Sequence, residues 1–295
     1  MTSRYGAVKG AAPHRTISEH LIEKSIMRVR ISTVVALAAA VVLTGTASVV
    51  ASTSAVAGAH TPAKPTVVLV HGAFADSTSW SGVIERLQQR GYPVVAAANP
   101  LRGLSSDAAY LRTVIDSVPG PIVLAGHSYG GAVMTNAAAG DRDVKALVYI
   151  AAFAPDKGES ALELSGKFPG STLGDTLATA PLGDGTADLT IRQDLFRQQF
   201  AADVPKKQAA LMAVTQRPIR DAALSEGSGE PAWKTIPSWF LVAGADRNIP
   251  VAAQRWMAGR AGSRATVEIR KASHAVGVSN PRPVADLIIR AATTR

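Results

Sequence analysis

The 295-residue chain contains no cysteine, few aromatic residues (5%) and no long run of charges of one sign. Without thiols it has no disulfide bond, no thiolate metal site and no cysteine nucleophile. Part of the net charge of +9 lies in residues 1–59, and no basic stretch stands out in the remainder. A nucleic-acid-binding surface normally gathers basic residues into a stripe or patch. The sequence therefore predicts no nucleic-acid partner.

Residues 1–59 are predicted to contain an N-terminal extension and a secretory signal peptide. Met27–Arg30 is a short basic segment, ten apolar residues follow at Val34–Leu43, and Ala55–Ala57 has the small-x-small pattern of a signal peptidase site. This order is typical of a cleaved export signal. Met27 is the expected start, which makes the residues before it an upstream extension. We therefore expect a secreted mature protein with no membrane association.

A membrane anchor is the alternative interpretation of the same region. Ile31–Val50 is close in length to the ~20 apolar residues that span a bilayer. Thr and Ser residues interrupt this segment, and Gly45 weakens it further. Cleavage is therefore favoured over retention. The lack of cysteine also suits a protein exported to an oxidising compartment.

Residues 60–295 are predicted to form a single α/β domain, because strand-like and helix-like segments alternate along them. Such alternation favours parallel strands joined by right-handed crossovers, with helices on both faces of the sheet. The predicted strands are 66–70, 94–98, 122–125, 146–151, 239–243 and 265–269, and the predicted helices are 80–90, 107–118, 130–139, 251–258 and 283–292.

The alternation breaks at residues 155–232, which we interpret as a cap inserted between two strands of one sheet. A stretch rich in Gly, Ser, Thr and Asp (165–188) is followed by two predicted helices, 190–202 and 205–215. A separate second domain is disfavoured because neither flank would complete the sheet alone. The sequence therefore predicts one mostly parallel sheet flanked by helices and covered by a helical cap.

Gly126-His127-Ser128-Tyr129-Gly130 is a Gly-x-Ser-x-Gly motif between a predicted strand and a predicted helix. The strand–turn–helix context is what a nucleophile elbow requires, since the turn is too tight for side chains at its glycine positions. A solvated serine on an ordinary glycine-rich turn is the alternative, and the context disfavours it. Ser128 is the predicted nucleophile.

A serine hydroxyl needs a base to take its proton, and folds built around such an elbow place an acid and then a histidine downstream of the serine. Among the six histidines, His274 alone follows Ser128, just past the last predicted strand. Asp246 follows strand 239–243 and is the predicted acid. Asp156, after the strand that precedes the cap, is the competing candidate.

Two backbone amides are expected to stabilise the oxyanion. One belongs to the residue after the serine, Tyr129, and the other to the loop after the first strand. In that loop, Ala73 is the first choice and Phe74 the fallback. His71, which ends the first strand, is interpreted as a structural residue that braces this loop.

Five segments of the chain match a known family pattern: His71–Ser77 with Trp80, Asn99–Leu104, His127–Gly131, Gly244–Asp246 and Ser273–Val276. In these segments the chain resembles the α/β-hydrolase superfamily, most closely small bacterial α/β-hydrolases related to plant methylesterases and hydroxynitrile lyases. The resemblance covers about residues 66–292 and implies the α/β-hydrolase fold and an ester hydrolase without metal or cofactor, acting on a small-molecule ester.

One branch of that group cleaves cyanohydrins, and this chain departs from its pattern. Lyases resembling the rubber-tree type have a lysine directly after the histidine and a threonine after the first-strand histidine. Here those positions are Ala275 and Gly72. Without the lysine no nearby cation would stabilise departing cyanide, so hydrolysis is favoured over lysis.

The leading functional hypothesis is therefore a serine esterase that acts on small carboxylic esters. Phe74 and Trp80, together with apolar cap residues, are predicted to line an apolar substrate pocket. One alternative is a cofactor-free haloperoxidase-like or lyase activity of the same three residues. The other is a binding protein without activity, which an intact Ser-Asp-His set disfavours. The cap residues considered are Leu173, Leu177, Leu195, Phe196, Phe200, Leu211 and Met212.

Overall fold

The structure, a computed structural model, describes residues 64–294. The predicted extension and signal peptide lie outside these described residues. The strands within them are β1 (Thr66–Val70), β2 (Val94–Ala97), β3 (Ile122–His127), β4 (Val144–Ile150), β5 (Leu177–Pro181), β6 (Ala187–Ile191), β7 (Ile219–Arg220), β8 (Ser238–Ala243) and β9 (Ala265–Ile269). The α-helices are α1 (Ser81–Gln89), α2 (Leu104–Asp116), α3 (Tyr129–Ala137), α4 (Ala161–Gly166), α5 (Gln193–Phe200), α6 (Lys206–Thr215), α7 (Asp221–Ser225), α8 (Val251–Arg260), α9 (Val276–Ser279) and α10 (Pro281–Thr293).

Six strands form one parallel sheet in the order β2-β1-β3-β4-β8-β9. This arrangement confirms the predicted α/β-hydrolase fold. The central strands are nearly continuous apolar runs because helices cover both of their faces. β3, for instance, is buried along its whole length. All the parallel strands therefore present their carboxyl ends at one edge, where the elbow, Asp246 and His274 follow their strands.

Alternate residues of each strand belong to different halves of the hydrophobic core. Val67 and Leu69 of β1 pack with α1 and α10 on one face of the sheet. Val68 and Val70 pack with α2, α3 and the cap on the other face. Period-two alternation in a strand buried on both sides thus produces two apolar layers. The cap joins the second layer, which brings it over the strand ends.

The cap contains helices α4, α5, α6 and α7, but it also contains a three-stranded antiparallel sheet, β5-β6-β7. The predicted helices of the cap are therefore accompanied by a small sheet that was not predicted. Within the Gly-rich stretch 165–188, residues 182–186 form a hairpin loop between Pro181 and Ala187, which are paired, and Gly183 and Gly185 adopt φ of 78° and 84° there. Positive φ favours glycine, so these two glycines mark the turn between β5 and β6.

The predicted helix 190–202 begins later, at Gln193, since Thr190 and Ile191 complete β6. Within residues 64–294, none of the helices combines the length and apolar character needed to span a bilayer.

Candidate active site

Ser128 occupies a strained turn between β3 and α3. Its φ of 54° and ψ of −126° lie outside the regions that a side-chain-bearing residue prefers. The backbone around it is held from the neighbouring strand: its amide donates to the carbonyls of Ile150 (3.3 Å) and Ala151 (3.2 Å), and its carbonyl accepts from Phe153 (3.2 Å). Fixed contacts of this kind are what allow a strained conformation to persist at a functional site.

Close packing explains why glycine is required around this turn. A Cβ at Gly130 would lie 2.4 Å from the carbonyl oxygen of Val70. A Cβ at Gly72 would lie 2.6 Å from the Cβ of Ser128. The loop after β1 therefore passes directly against the serine, and a threonine at position 72 would not fit without movement of the backbone.

His274 and Asp246 form a buried hydrogen-bonded pair. The distance from His274 Nδ1 to Asp246 Oδ2 is 2.7 Å, and the exposed fractions of the two side chains are 1% and 0%. The other ring nitrogen, Nε2, is buried and has no hydrogen-bond partner among the described residues. An Nδ1–H···carboxylate bond fixes the tautomer in which Nε2 carries a lone pair, the form that accepts a proton.

His127 connects this pair to the elbow. Its Nε2 lies 2.9 Å from the carbonyl oxygen of His274, and the centroids of the two rings are 4.7 Å apart. Because a carbonyl only accepts, His127 Nε2 carries the proton. Burial lowers the pKa of His127 to about 3, and the nearby His274 adds to this effect. The neutral His127 ring therefore donates a hydrogen bond that holds the main chain of His274 next to the elbow.

The Asp246 carboxylate accepts four hydrogen bonds: two from backbone amides, one from Gln254 and one from His274. The amides of Asn248 (2.7 Å) and Ile249 (3.1 Å) donate to Oδ1. Gln254 Nε2 (2.9 Å) joins His274 Nδ1 at Oδ2. Acceptance of four donors suits an ionised carboxylate, since a protonated one would have to give one acceptor site up.

Gln254 on α8 is a site residue that sequence reasoning missed. Besides Asp246, its Nε2 donates to the carbonyl of Ile249 (2.8 Å), and its Oε1 accepts from the amide of Ala243 (3.0 Å). The side chain thus ties the end of β8 to the loop that carries the acid. A glutamine eight positions after an aspartate has no distinctive sequence signal.

Asp156, the competing acid, lies elsewhere. Its carboxylate forms an ion pair with Lys234 at 2.6 Å, and the Asp156 side chain is 33% exposed. The hydrogen bond to Lys234 is the main cause that lowers the pKa of Asp156. The structure therefore brings Asp246, and not Asp156, into contact with His274.

The predicted oxyanion donors lie around the serine. Ala73, Tyr129 and Ser128 line the same cavity. Tyr129 is the first residue of α3, where an amide has no acceptor within the helix. The fallback donor is disfavoured, because the Phe74 amide already donates to the carbonyl of Arg217 at 3.2 Å.

Two buried groups hold these loops in place. His71 accepts at Nε2 from the amide of Asn99 (3.1 Å) and contacts the Gly72 carbonyl through Nδ1 (2.9 Å), and burial lowers its pKa. These bonds match the bracing role expected for His71. The Tyr129 hydroxyl donates to the buried Asp107 (2.9 Å), whose pKa is raised chiefly by burial.

A cavity of about 320 Å³ opens beside Ser128 and is mostly apolar. Phe74 is part of its wall, as expected, and so are Leu173 and Leu177 of the cap. Its size is at the lower end of the range for small-molecule sites. We call this space the catalytic cavity; its lining residues are Ala73, Phe74, Ser128, Tyr129, Phe153, Ala161, Leu162, Ser165, Gly166, Ser171, Leu173, Gly174, Leu177, Leu189, Asp221, Leu224, Asn248 and Ile249.

Trp80 does not line the catalytic cavity, which corrects the prediction that it binds substrate. It is 1% exposed and packs in the core layer of Val83 and Leu87. Its ring contacts His127 edge-on, with centroids 6.4 Å apart. Trp80 therefore supports the histidine behind the elbow. Of the apolar cap residues, Phe196 and Phe200 belong to the buried core, and Leu211 is 60% exposed.

The cap also contacts the loop that carries His274. The Phe200 ring packs on the His274 ring with centroids 4.9 Å apart, and the Phe200 carbonyl accepts from the Ala275 amide (2.9 Å). Asp203 accepts hydrogen bonds from the Ser273 hydroxyl and from Asn280 Nδ2. Sequence reasoning missed these contacts as well. Cap residues 200–203 thus fix both sides of the histidine.

In residues 64–294, no cluster of three or more His, Asp and Glu side chains is arranged to hold a metal ion.

Known proteins with similar sequences carry esterase names. The chain is 27% identical over 257 residues to Esterase PIR7B of Oryza sativa subsp. japonica, covering 76% of this chain and 94% of that protein. It is 24% identical over 250 residues to Methylesterase 1 of Arabidopsis thaliana, covering 76% and 95%. The crystal structure of polyneuridine aldehyde esterase superimposes with a TM-score of 0.67 at 21% identity, over 77% of this chain and 98% of that one.

The family assignment rests on a broader match. The description "Alpha/beta hydrolase family" fits residues 67–287, which is well over half of the chain and includes β1, the elbow, the cap and both downstream site residues. The same span contains the parallel sheet with the strained serine at the end of β3. The protein belongs to the alpha/beta hydrolase family.

Proposed function

We propose that the protein is a carboxylic ester hydrolase in which Ser128, His274 and Asp246 act as nucleophile, base and supporting acid. The observation that carries the proposal is the buried 2.7 Å bond between His274 and Asp246, which leaves His274 Nε2 without a hydrogen-bond partner among the described residues. Ser128 stands in a strained turn at φ 54°, as a nucleophile elbow requires. Family membership and the esterase names of the relatives support the same reaction class.

In the first step, Ser128 Oγ forms a bond to the acyl carbon while its proton passes to His274 Nε2. The amides of Ala73 and Tyr129 stabilise the oxyanion, and Asp246 stabilises the imidazolium. His274 then gives the proton to the departing alcohol as the acyl–oxygen bond breaks. In the second step, water gives a proton to His274 and attacks the acyl-enzyme, which releases the acid and restores Ser128.

Small apolar esters suit the catalytic cavity. Its walls are mainly leucine, alanine and phenylalanine side chains, and its volume is about 320 Å³. Apolar walls stabilise apolar parts of a bound ester by removing them from water. Hydrolysis is favoured over cyanohydrin cleavage because Ala275 offers no cation and Gly72 has no room for a threonine side chain.

Hydrolysis of p-nitrophenyl acetate, butyrate and octanoate by the purified protein tests this proposal. We expect turnover that favours the shorter chains and falls by at least about 10³-fold in Ser128→Ala, since triad members contribute orders of magnitude. Ser171→Ala is the matched control, because Ser171 lines the same cavity. It should stay within a few-fold of the parent. Absence of turnover with every ester, together with no labelling of Ser128 by a fluorophosphonate, would refute the proposal.

We also propose that the mature protein is secreted after removal of the signal peptide within residues 1–59. The basic, apolar and small-residue segments in that order support this. N-terminal sequencing of the protein from culture medium should give a start near residue 58 or 60. An intact N-terminus in a membrane fraction would contradict cleavage and favour the anchor.

A further inference from the structure

Asn248 places a polar group in the wall of an otherwise mainly apolar catalytic cavity. It is 3% exposed, and its main-chain amide donates to Asp246. That amide supports the acid whichever side chain residue 248 carries. The polar side chain therefore needs an explanation of its own, since a buried amide group is costly unless its hydrogen bonds are made.

A chain of hydrogen bonds fixes which way the Asn248 side chain points. The Arg247 carbonyl only accepts, so the Gln199 atom 2.9 Å from it must be Nε2. Thr172 donates to Gln199 Oε1 at 2.8 Å, in agreement with this orientation. Gln199 Nε2 also donates to Asn248 Oδ1 at 2.7 Å. The Asn248 oxygen is therefore turned toward Gln199, and its Nδ2 is turned away from it.

Nδ2 of Asn248 donates to no described residue, and this atom retains some accessible surface. The neighbouring groups of the cavity wall do not replace it as a donor. The hydroxyls of Ser165 and Ser171 already donate to the Asn248 carbonyl at 3.0 and 2.9 Å. The Asp221 carboxylate only accepts when ionised. The Asn248 amide is thus an unused donor at the surface of the catalytic cavity.

We propose that Asn248 Nδ2 binds a second hydrogen-bond acceptor of the substrate, so that the enzyme selects esters with a keto or ether oxygen away from the scissile carbonyl. This inference rests on the proposed ester hydrolysis and names the substrate class within it. A site built to hydrogen-bond a polar group discriminates against an analogue that lacks the group, because the buried donor is then left unpaired.

Pairs of esters of equal shape test the proposal. The first series is p-nitrophenyl 4-oxopentanoate, 5-oxohexanoate and 6-oxoheptanoate, each compared with the ester in which a methyl group replaces the keto oxygen. The second series is acetates of the corresponding keto and methyl-branched alcohols. The measured quantity is the ratio of kcat/KM for the keto ester to that for its methyl partner, taken within one enzyme so that differences in folding cancel.

In the parent protein we expect at least one pair with a ratio of about ten. Asn248→Leu should bring this ratio to about one or below. Asn248→Asp keeps the acceptor for Gln199 but turns an acceptor toward the cavity, so it should favour the methyl partner. Leu173→Ala, a control on the same cavity wall, should change both members of a pair alike.

Two failures can be told apart. If the parent hydrolyses p-nitrophenyl acetate but every ratio is near one, the role of Asn248 is wrong and the esterase proposal stands. A ratio that persists unchanged in Asn248→Leu also overturns the role of Asn248. If no ester is hydrolysed, the proposed function fails and this inference fails with it.

Discussion

The strand ends of the parallel sheet and the cap face the same cavity, but they are built differently. At the strand ends, the reactive groups are buried and held by hydrogen bonds: Asp246 accepts four, and the Ser128 backbone is bonded to the end of β4. In the cap, four of the five residues of β5 are exposed, and Leu162, in the cavity wall, is 59% exposed.

This difference separates reactivity from selectivity. Proton transfer depends on distances that must be held closely, and the buried sheet edge, with its hydrogen-bonded backbone and acid, provides them. Substrate selection needs shape and a few polar groups, which a less enclosed cap can supply and vary. Changes to the groups that position Ser128, His274 and Asp246 should therefore lower the rate for all esters alike. Changes to the size or the polar groups of the cavity should instead alter the ratios between esters of different length or polarity.

The largest effect is expected at the acid. Asp246→Asn would hold the His274 ring in the wrong tautomer and leave the imidazolium without a counter-charge. We expect kcat to fall by about 10³- to 10⁴-fold, equally for acetate and octanoate esters. Steady-state kinetics with p-nitrophenyl esters measures this.

Asp156→Asn is the matched control, since Asp156 was the other candidate acid. It removes a partly exposed ion pair with Lys234, which contributes at most about 1 kcal/mol to stability. Its kcat should stay within about twofold of the parent. A larger loss for Asp156→Asn than for Asp246→Asn would reverse the assignment of the acid.

A smaller but still uniform effect is expected at Gln254. Gln254→Leu removes one donor from the Asp246 carboxylate and leaves the buried Ala243 amide without its acceptor. Loss of a hydrogen bond to a charged group costs about 1.5–3 kcal/mol, so kcat should fall about 10- to 100-fold.

Arg255→Gln serves as the control on the same helix, because it loses only an exposed ion pair with Glu268. It should keep kcat within about twofold. For Gln254→Leu, the ratio of acetate to octanoate hydrolysis should equal that of the parent. A changed ratio would show that Gln254 shapes the cavity and does not act through the acid.

The sequence was sufficient to predict the sheet, the elbow and the positions of Asp246 and His274, because their signals are local. A β-branched apolar run predicts a buried strand, and a functional residue directly after such a run lies at the common edge of the parallel strands. Chain order then left a single downstream histidine, and placement directly after a strand left two candidate acids. Of these, the sequence favoured Asp246, and the structure brings Asp246 into contact with His274.

The errors concern contacts between residues distant in the chain. Trp80 was assigned to the pocket because it is aromatic and near the first loop, but its ring faces His127 in the core. The contact between Phe200 and His274 spans two segments with no shared motif. The β5–β6 hairpin was hidden because most of β5 is exposed and so lacks apolar alternation. Alternation of apolar and polar residues arises where one face of a strand is buried, so a mostly exposed strand shows little of this pattern.

The smallest effect is expected where the cap contacts the histidine loop, and it tests whether reactivity and selectivity are fully separate. Asp203 accepts hydrogen bonds from Ser273 and Asn280 on either side of His274. Asp203→Ala leaves the nearly buried Ser273 hydroxyl without this partner and loosens the loop that carries the base. We expect a three- to tenfold lower kcat, corresponding to about 1 kcal/mol, with unchanged ratios between esters.

Asp194→Ala, which removes an exposed acid from α5, controls for the change in charge on the cap. It should leave kcat within twofold. If Asp203→Ala lowers kcat uniformly while this control does not, the cap contributes to the geometry of the base as well as to the cavity wall. If Asp203→Ala instead alters only the ratios between esters, residues 200–203 act on substrate selection, and the sheet edge positions His274 without help from the cap.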